Sequence, residues 1–237
     1  MKIILNPKYE FLRDYLMNLE THFENEGEEI HRGRNVIKKI SVGDLTLCVK
    51  KFAPPATTRR LKEMFYKSSK GKQAYLRPML LRERGFESPE NVAFVSYRKG
   101  LFRTIGYFVC LLSNYRYTMA EIDQCTPEEK KNVVEAFARF AAYLHEDGFL
   151  HRDFSSSNVL YDKVGDRYHF SLIDTNSMKC GRAVSLESGC RNLAQLSGDE
   201  DFFHLLAQTY ASLRHADPER CERLINEARK KRARHAS

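Results

Sequence analysis

The chain has 237 residues, 42% of them hydrophobic and 30% charged, a composition typical of a globular protein built as one large domain or two small lobes. Its six cysteines form no CxxC pair and show no zinc-ligand spacing, which favours reduced structural thiols in a cytosolic protein. The apolar run at the N-terminus is too short for a signal peptide, and residues 107–112 are too few to cross a bilayer. We therefore expect neither export nor membrane insertion.

The net charge of +8 is spread unevenly along the chain. From Lys50 to Lys72 there are eight lysine or arginine residues and one acid, Glu63, and residues 229–234 form a second basic run. Both stretches favour contact with an anionic surface, such as acidic lipid headgroups, a phosphorylated or carboxylated glycan, or nucleic acid. The alternative is a solvated basic helix end, which we favour for the C-terminal run. Neither stretch has clustered aromatic residues for base stacking, which argues against nucleic acid.

The first elements along the chain are a helix and a hairpin. Apolar residues recur at helical spacing over residues 8–23, which predicts an amphipathic helix. Residues 34–52 predict two strands around a turn at Gly43, and Lys50 lies within the second, otherwise apolar strand. A lysine at this position could reach inward to nucleotide phosphates. The alternative is an edge lysine that faces water, and Lys51 leaves the register uncertain by one residue.

Gly33 lies before this hairpin, in the segment HRGRN, where a nucleotide-covering loop would be expected. Backbone N–H groups around Gly33 could approach phosphates there, with charge added by Arg32 or Arg34. The alternative is an ordinary turn glycine.

Periodicity and turn residues predict the other flanking elements. We expect a basic helix over 57–84 interrupted by Pro78, strands over 92–97 and 104–112, a hinge-like break at Ser113-Asn114, an irregular segment over 185–196, and helices over 201–213 and after Pro218.

The residues that could carry chemistry lie between Leu144 and Asn176. Thr126 and Pro127 predict a helix start, and apolar residues continue at helical spacing until Gly148. An irregular loop over 150–158 and a hairpin should follow. This order predicts a loop and a strand end that face one cleft.

The loop carries His151, Arg152, Asp153 and Asn158, and the second hairpin strand ends at Asp174. A carboxylate at Asp153 can orient an acceptor hydroxyl and take its proton, while the oxygens of Asn158 and Asp174 suit Mg²⁺. The spacing therefore predicts phosphoryl transfer. The catalytic candidates are His151, Arg152 and Asp153, and the metal-ligand candidates are Asn158 and Asp174. The alternative is a loop aspartate that only caps a turn, which the accompanying Asn and second Asp disfavour.

Five segments together resemble the lipopolysaccharide kinase family, the Kdo and heptose kinases, in its small Bacteroidetes-type form. They are GRNVIKKISVGDLTLCVKKF, SSKGKQAYLRPMLLRERGFESPENVAFV, HRDFSSSNVL, FSLIDTN and CRNLAQL, and the resemblance covers nearly the whole chain. It implies an α+β, two-lobed, protein-kinase-like fold as a single domain over residues 1–237. The small β-rich lobe would comprise residues 1–112, with the N-terminal helix, and the helical lobe residues 113–237.

The resemblance also implies ATP and Mg²⁺ as cofactors. It implies transfer of the γ-phosphoryl group to a sugar hydroxyl of a lipid-linked glycan, at the cytoplasmic face of the inner membrane. Asp153 is then similar to the catalytic aspartate, Asn158 and Asp174 to the metal ligands, and Lys50 to the phosphate-binding lysine. The basic stretches fit a peripheral contact with an anionic membrane surface or with the glycan.

The chain departs from the kinase pattern in two places. Asp174-Thr175-Asn176 stands where Asp-Phe-Gly is expected, which keeps the metal ligand and argues against switch-like regulation. No glutamate partner for Lys50 is evident, since only Glu63 and Glu83 lie near the matching region. Two alternatives to a sugar kinase follow, a protein or small-molecule kinase on the same fold and a non-catalytic pseudokinase.

Overall fold

The fold is described by a computed structural model, in residues 1–53, 75–99 and 103–236. The chain divides into two compact units. Unit 1 comprises Met1–Glu83 and Ser88–Asn114, and unit 2 comprises Arg84–Glu87 and Tyr115–Ser237. Unit 1 contains an antiparallel sheet and unit 2 is mainly helical, so the predicted α+β class with a β-rich and a helical lobe is confirmed. The assignment of residues 1–237 to a single kinase-like domain divided at 112 stays a prediction.

Unit 1 is built on a six-stranded antiparallel sheet with the order β1-β5-β6-β4-β3-β2. The strands are β1 (Lys2–Leu5), β2 (Glu28–Arg32), β3 (Val36–Val42), β4 (Leu45–Lys51), β5 (Asn91–Lys99) and β6 (Arg103–Leu111). The predicted hairpin is the β3–β4 pair, and Gly43 in its turn has a φ of 57°, a left-handed conformation that glycine adopts without steric cost. The two strands predicted over 92–97 and 104–112 are β5 and β6.

The single helix predicted over residues 8–23 is wrong. The segment contains a 3-10 helix (Pro7–Leu12), α1 (Arg13–Met17) and α2 (Leu19–Asn25). The break falls at Asn18, whose side-chain amide donates a hydrogen bond to the carbonyl of Asp14 at 3.2 Å. Asparagine side chains compete with the helical backbone in this way. Phe11, which the periodicity placed on the apolar face, is 72% exposed.

The predicted basic helix over 57–84 lies largely outside the described residues. Of this range the structure describes 75–84, of which 75–83 are helical (α3). Leu16, Leu19 and Phe23 on the N-terminal helices are buried against Leu47 and Val49 of β4, among others, and together these side chains form the core of unit 1.

Unit 2 combines four longer helices with short antiparallel pairs of strands. Its elements are β7 (Tyr117–Thr118), a 3-10 helix (Met119–Gln124), α4 (Pro127–Glu146), β8 (Phe149–Leu150), a 3-10 helix (Ser156–Asn158), β9 (Val159–Val164), β10 (Arg167–Leu172), a 3-10 helix (Thr175–Ser177), β11 (Lys179–Cys180), α5 (Leu186–Leu193), α6 (Glu200–Leu213) and α7 (Pro218–Ala236). Among the described helices, none combines the length and the apolar composition needed to cross a membrane.

The predicted start and end of the central helix are confirmed. Thr126 Oγ1 accepts a hydrogen bond from the backbone N–H of Glu129 at 3.3 Å, and Pro127 is the first helical residue. Such a cap satisfies one of the free N–H groups at a helix start. The buried face of α4 includes Phe137 and Leu144.

The prediction of an irregular segment over residues 185–196 is wrong, because α5 lies within it. Ser185 Oγ caps this helix by accepting the N–H of Ser188 at 3.3 Å. Gly189, a poor helix former, hides the helix in the sequence. In the structure a Cβ at Gly189 would lie 2.1 Å from Tyr210 Oη, so glycine lets α5 approach α6 closely.

Gly148 shapes the exit from α4 into the predicted catalytic loop. Its φ is 82°, and a Cβ there would lie 2.1 Å from the carbonyl oxygen of Gly181. The same two residues are joined by a hydrogen bond of 3.1 Å from Gly181 N–H to Gly148 C=O. This contact continues the pairing of β8 with β11, in which Leu150 faces Lys179.

Replacing Gly148 with alanine should therefore lower the free energy of unfolding more than replacing Gly165. Gly165 has a φ of 58° and no atom within 4 Å of an added Cβ, so Gly165→Ala should cost only the left-handed strain, about 1–2 kcal/mol. Gly148→Ala adds overpacking against Gly181, typically about 1–3 kcal/mol more. Urea denaturation of both variants tests the difference, and equal losses would contradict the close approach of β8 and β11.

Candidate active site

His151 begins the loop after β8 and is completely buried. Its Nε2–H donates to the carbonyl oxygen of Ile173 at 2.9 Å, and its own carbonyl oxygen accepts from Asn192 Nδ2 at 2.7 Å. Burial lowers the pKa of the His151 imidazole, opposed by the hydrogen bond to Ile173. The residue is therefore a neutral imidazole that ties the loop to the end of β10.

Asp153 and Asn158 lie on the same loop and are joined directly. Asn158 Nδ2 donates to the backbone carbonyl of Asp153 at 2.9 Å, and Asn158 N–H donates to the carbonyl of Ser155 at 2.9 Å. Because the amide nitrogen is used in this bond, Asn158 Oδ1 is the atom that can face a ligand. The Asp153 side chain is exposed, as a carboxylate that receives an external hydroxyl must be.

Asp174 follows β10 with a left-handed backbone, φ 54° and ψ 40°, and is half-buried. Non-glycine residues adopt this conformation rarely, and Asp and Asn are the ones that tolerate it best. The preceding residue, Ile173, donates its N–H to the carbonyl of Asn158 at 3.1 Å and accepts from His151. Ile173 thus bonds to both ends of the loop, so Asp153, Asn158 and Asp174 lie on hydrogen-bonded segments of unit 2. Arg152 is exposed on the same loop.

A chain of side-chain hydrogen bonds runs from Arg214 to the backbone of His151 at the start of this loop. Arg214 Nη1 donates to Tyr210 Oη at 2.6 Å, Tyr210 Oη donates to His145 Nδ1 at 2.9 Å, and His145 Nε2 donates to Asn192 Oδ1 at 3.1 Å. Asn192 passes the chain on to the carbonyl of His151. Each donor in this series of hydrogen bonds has one acceptor. His145 is therefore the tautomer with the proton on Nε2.

The protonation state of His145 follows from its surroundings. The side chain is fully buried, and burial lowers its pKa from 6.5 to about 4, helped by the positive charge of Arg214 and opposed by the hydrogen bond to Asn192. A neutral ring is what the chain requires, because protonated Nδ1 could no longer accept from Tyr210.

Sequence reasoning missed the residues of this supporting chain. Asn192 occurs in the segment CRNLAQL, which contributed to the family resemblance, but no role for Asn192 itself was evident from the sequence. His145 and Tyr210 were available as polar residues on the apolar faces of two helices, a pattern that signals a buried hydrogen bond. Their partners could not be paired because they lie up to 65 positions apart in the chain.

Lys50 and Gly33 belong to unit 1 and are described there. Lys50 lies on β4 with its Nζ 5.8 Å from the ring centre of Phe52. Lys51 Nζ forms an ion pair with Glu24 and lies 5.6 Å from the ring centre of Phe23 on α2. Neighbouring strand residues face opposite sides of a sheet, so Lys51 packs on the helical face and Lys50 points to the other one.

Gly33 lies in the turn between β2 and β3, where its N–H donates to the carbonyl of Asn35 at 3.0 Å. Its φ is not in the left-handed region, and a Cβ there would meet only the mobile end of His31 at 2.9 Å. The turn therefore does not require glycine. Arg32 Nε forms a hydrogen bond of 2.7 Å with Glu29, so its charge is partly neutralised within unit 1.

Of the two candidate partners for Lys50, Glu63 lies outside the described residues and Glu83 is exposed at the end of α3. The part of the basic stretch between Lys50 and Lys72 that follows Ala53 also lies outside them.

The oxygens of Asn158 and Asp174 match the preference of Mg²⁺, which takes one or two carboxylates and completes its shell with phosphates and water. In the parts of the chain that the structure describes, no group of three or more His, Cys, Asp or Glu side chains is placed to hold a metal by itself.

Comparison with known proteins shows likeness to a protein family and to solved structures. The model of the family described as "Lipopolysaccharide kinase (Kdo/WaaP) family" matches residues 79–199, just over half of the chain and including every candidate of unit 2. Among solved structures, "WaaP in complex with acyl carrier protein" matches with a TM-score of 0.63 and 19% identity, over 98% of this chain and 99% of that one. This likeness confirms the two-lobed kinase-like fold. No curated protein matches the sequence.

Acid should destabilise this protein through His145. Its folded pKa lies below its ordinary value, so its contribution is complete above pH 6.5 and is lost as the pH falls towards 4. The full loss corresponds to about 3 kcal/mol. We expect urea denaturation of the wild type to show falling stability across this range, and His145→Gln, which cannot take up the proton, to show a shallower fall. Identical slopes would contradict the buried neutral ring.

Proposed function

Because this chain belongs to the lipopolysaccharide kinase (Kdo/WaaP) family and is therefore a kinase, we propose that it transfers the γ-phosphoryl group of ATP to a sugar hydroxyl of the lipopolysaccharide core, on a Kdo or a heptose. The family membership confirms the resemblance seen in the sequence. The main support for the proposal is the pair of hydrogen bonds that Ile173 makes, with Asn158 and with His151. These bonds tie the loop of Asp153 and Asn158 to the segment that leads into Asp174.

Asp153 acts on the acceptor in this proposal. Its exposed carboxylate accepts the proton of the sugar hydroxyl and points the oxygen at the phosphorus. Phosphoryl transfer has a loose transition state, so positioning supplies most of the rate increase. The bond from Asn158 Nδ2 to the Asp153 carbonyl limits the motion of the loop that presents this carboxylate.

Asp174 and Asn158 Oδ1 would hold Mg²⁺ in this proposal. Bound Mg²⁺ supplies positive charge that neutralises the phosphate oxygens during transfer. The hydrogen bond between Ile173 and Asn158 keeps the two proposed ligands on adjoining segments.

The remaining candidates bind and position. Neutral His151 fixes Ile173, and exposed Arg152 adds positive charge beside Asp153. In unit 1, we assign Lys50 to the nucleotide phosphates, on the sheet face opposite the one that Lys51 occupies. Gly33 would belong to the loop over the nucleotide.

The acceptor we propose is a lipid-linked glycan, reached by peripheral contact with an anionic membrane surface at the cytoplasmic face of the inner membrane. The basic end of α7 supports this contact, because Lys230, Lys231 and Arg232 are exposed. Arg229 has a structural contact instead, with its guanidinium carbon 3.8 Å from the ring centre of Phe203.

A protein kinase on the same fold has less support. Protein kinases dock peptides on a long segment after the metal-binding aspartate, whereas here α5 begins only twelve residues after Asp174, at Leu186. The connecting segment is also held in place, by Gly181 N–H on Gly148 C=O and by Val184 N–H on the carbonyl of His145 at 2.8 Å. A pseudokinase is disfavoured because Asp153, Asn158 and Asp174 are all retained.

Asp153→Asn should abolish Mg²⁺-dependent ATP turnover stimulated by a deacylated lipopolysaccharide core. Loss of a general base typically costs at least about 100-fold, and ATP binding should persist because Asp153 acts on the acceptor. The measurement is steady-state turnover with and without the core, beside a titration of ATP.

Asp166→Asn is the matched control, since Asp166 is exposed in the turn between β9 and β10 and undergoes the same chemical change. It should keep wild-type turnover. Equal turnover by the two variants would overturn the assignment of Asp153.

Asp174→Asn and Asp174→Ala separate the backbone role of this residue from its charge. Asparagine tolerates the left-handed conformation, so Asp174→Asn should keep the wild-type stability, whereas alanine should lose about 1–2 kcal/mol. Both should lose Mg²⁺-dependent turnover. Denaturation and a Mg²⁺ titration of activity measure the two effects, and an unchanged Mg²⁺ dependence in Asp174→Asn would rule out Asp174 as a ligand.

A further inference from the structure

Unit 2 has a recess whose lining contains none of the predicted catalytic residues or metal ligands. Its volume is about 310 Å³, at the lower end of the range for small-molecule sites. The β8–β11 pair forms one wall, through Leu150 and Lys179, and the chain that follows β11 forms another, through Gly181 and Arg182. The recess is therefore made by the segments that flank the predicted catalytic residues.

Two exposed cations, Lys179 and Arg182, line this recess. Neither side chain forms a hydrogen bond or an ion pair with another residue in the described part of the chain. Carboxylates on the neighbouring segments are matched by other bases, in the pairs Asp147–Arg84 at 3.0 Å, Glu146–Arg214 at 3.7 Å and Glu187–Arg220 at 2.6 Å. The charge of the two lining cations is therefore not neutralised by these carboxylates, which favours an anionic ligand in the recess.

The backbone that carries these cations is fixed before any ligand arrives. Gly181 is bonded to Gly148, Val184 N–H donates to the carbonyl of His145, and Arg214 Nη2 donates to the carbonyl of Val184 at 2.6 Å. Arg182 lies between these anchors. A site with a rigid frame loses less conformational entropy on binding than a mobile loop does.

The recess is also close to the reacting groups along the chain. Leu150 directly precedes His151, Arg152 and Asp153, and β11 begins five residues after Asp174. A group bound to Lys179 and Arg182 thus lies on the same two segments that hold the predicted catalytic residues.

We propose that this recess binds an anionic group of the acceptor glycan, a sugar carboxylate or phosphate, through Lys179 and Arg182. The inference rests on the proposed function and deepens it, because it names the chemistry by which the acceptor is recognised. An ammonium and a guanidinium together make charge-assisted hydrogen bonds to such a group. Neutral glycans should bind weakly.

The test is a titration of the full chain with deacylated lipopolysaccharide core, by calorimetry at fixed ionic strength. We expect Lys179→Gln/Arg182→Gln to raise the Kd for the core at least tenfold and to raise its KM in the turnover assay. A second variant, Gly181→Val, adds bulk at the wall without removing charge. It fits because a Cβ there meets no atom within 4 Å, and it should also weaken binding.

The matched control is Lys131→Gln/Arg223→Gln, which removes the same charge from exposed positions on α4 and α7 that do not line the recess. This variant should bind the core like the wild type. Equal weakening in both double variants would show a general charge effect and overturn the site.

Modified glycans identify the anion. A core with reduced carboxyl groups and a core stripped of phosphate are titrated beside inorganic phosphate. If the wild type loses affinity for one modified core, and binds that core no better than Lys179→Gln/Arg182→Gln does, the removed group is the one that the recess binds. Wild-type affinity for both modified cores, or equal binding of inorganic phosphate and of the core, overturns the proposal. Turnover by the wild type with unchanged KM in both recess variants would reject the recess alone, whereas no turnover on any core would reject the proposed function.

Discussion

His145 is buried as a neutral imidazole, and its two ring nitrogens join Tyr210 to Asn192 across three helices. Asn192 in turn holds the carbonyl of His151, so the loop that carries Asp153 depends on the protonation state of a residue outside it. A buried polar group without a partner costs about 1–3 kcal/mol. The row of hydrogen bonds from Arg214 to His151 avoids this cost only when each donor in it meets an acceptor. This requirement favours one conformation of the loop that carries Asp153.

Two glycines permit that arrangement. Gly189 lets α5 approach α6 until Tyr210 Oη can reach His145, and Gly148 turns the chain out of α4 directly against Gly181. A Cβ is excluded at both positions by a close neighbour, and at Gly148 the left-handed backbone favours glycine as well. The backbone at Gly181 adjoins the predicted catalytic loop on one side and the recess of Lys179 and Arg182 on the other, so the proposed acceptor site shares the same packing.

The sequence was sufficient where the signal is local. Helix caps and strand alternation predicted α4 and the β9–β10 hairpin, and spacing placed Asp153 and Asn158 on the loop between them. The sequence was insufficient where the role of a polar residue or a glycine depends on a contact with a residue far away in the chain. Gly189 argued against a helix in the sequence, because the contact that requires glycine there is made by Tyr210 on the next helix. Asn18 interrupts a segment that apolar spacing alone predicts as one continuous helix. Asn192 could not be paired with His151 from the sequence, because 41 positions separate them.

The proposed phosphoryl transfer is tested by recovering the glycan after incubating deacylated lipopolysaccharide core with the protein, ATP and Mg²⁺. Phosphorus NMR and mass spectrometry of the recovered core then show where the phosphoryl group has gone. We expect one new phosphate monoester on a Kdo or heptose hydroxyl, formed by the wild type and not by Asp153→Asn. An unmodified core, with ATP either intact or hydrolysed to free phosphate, would contradict the proposed transfer.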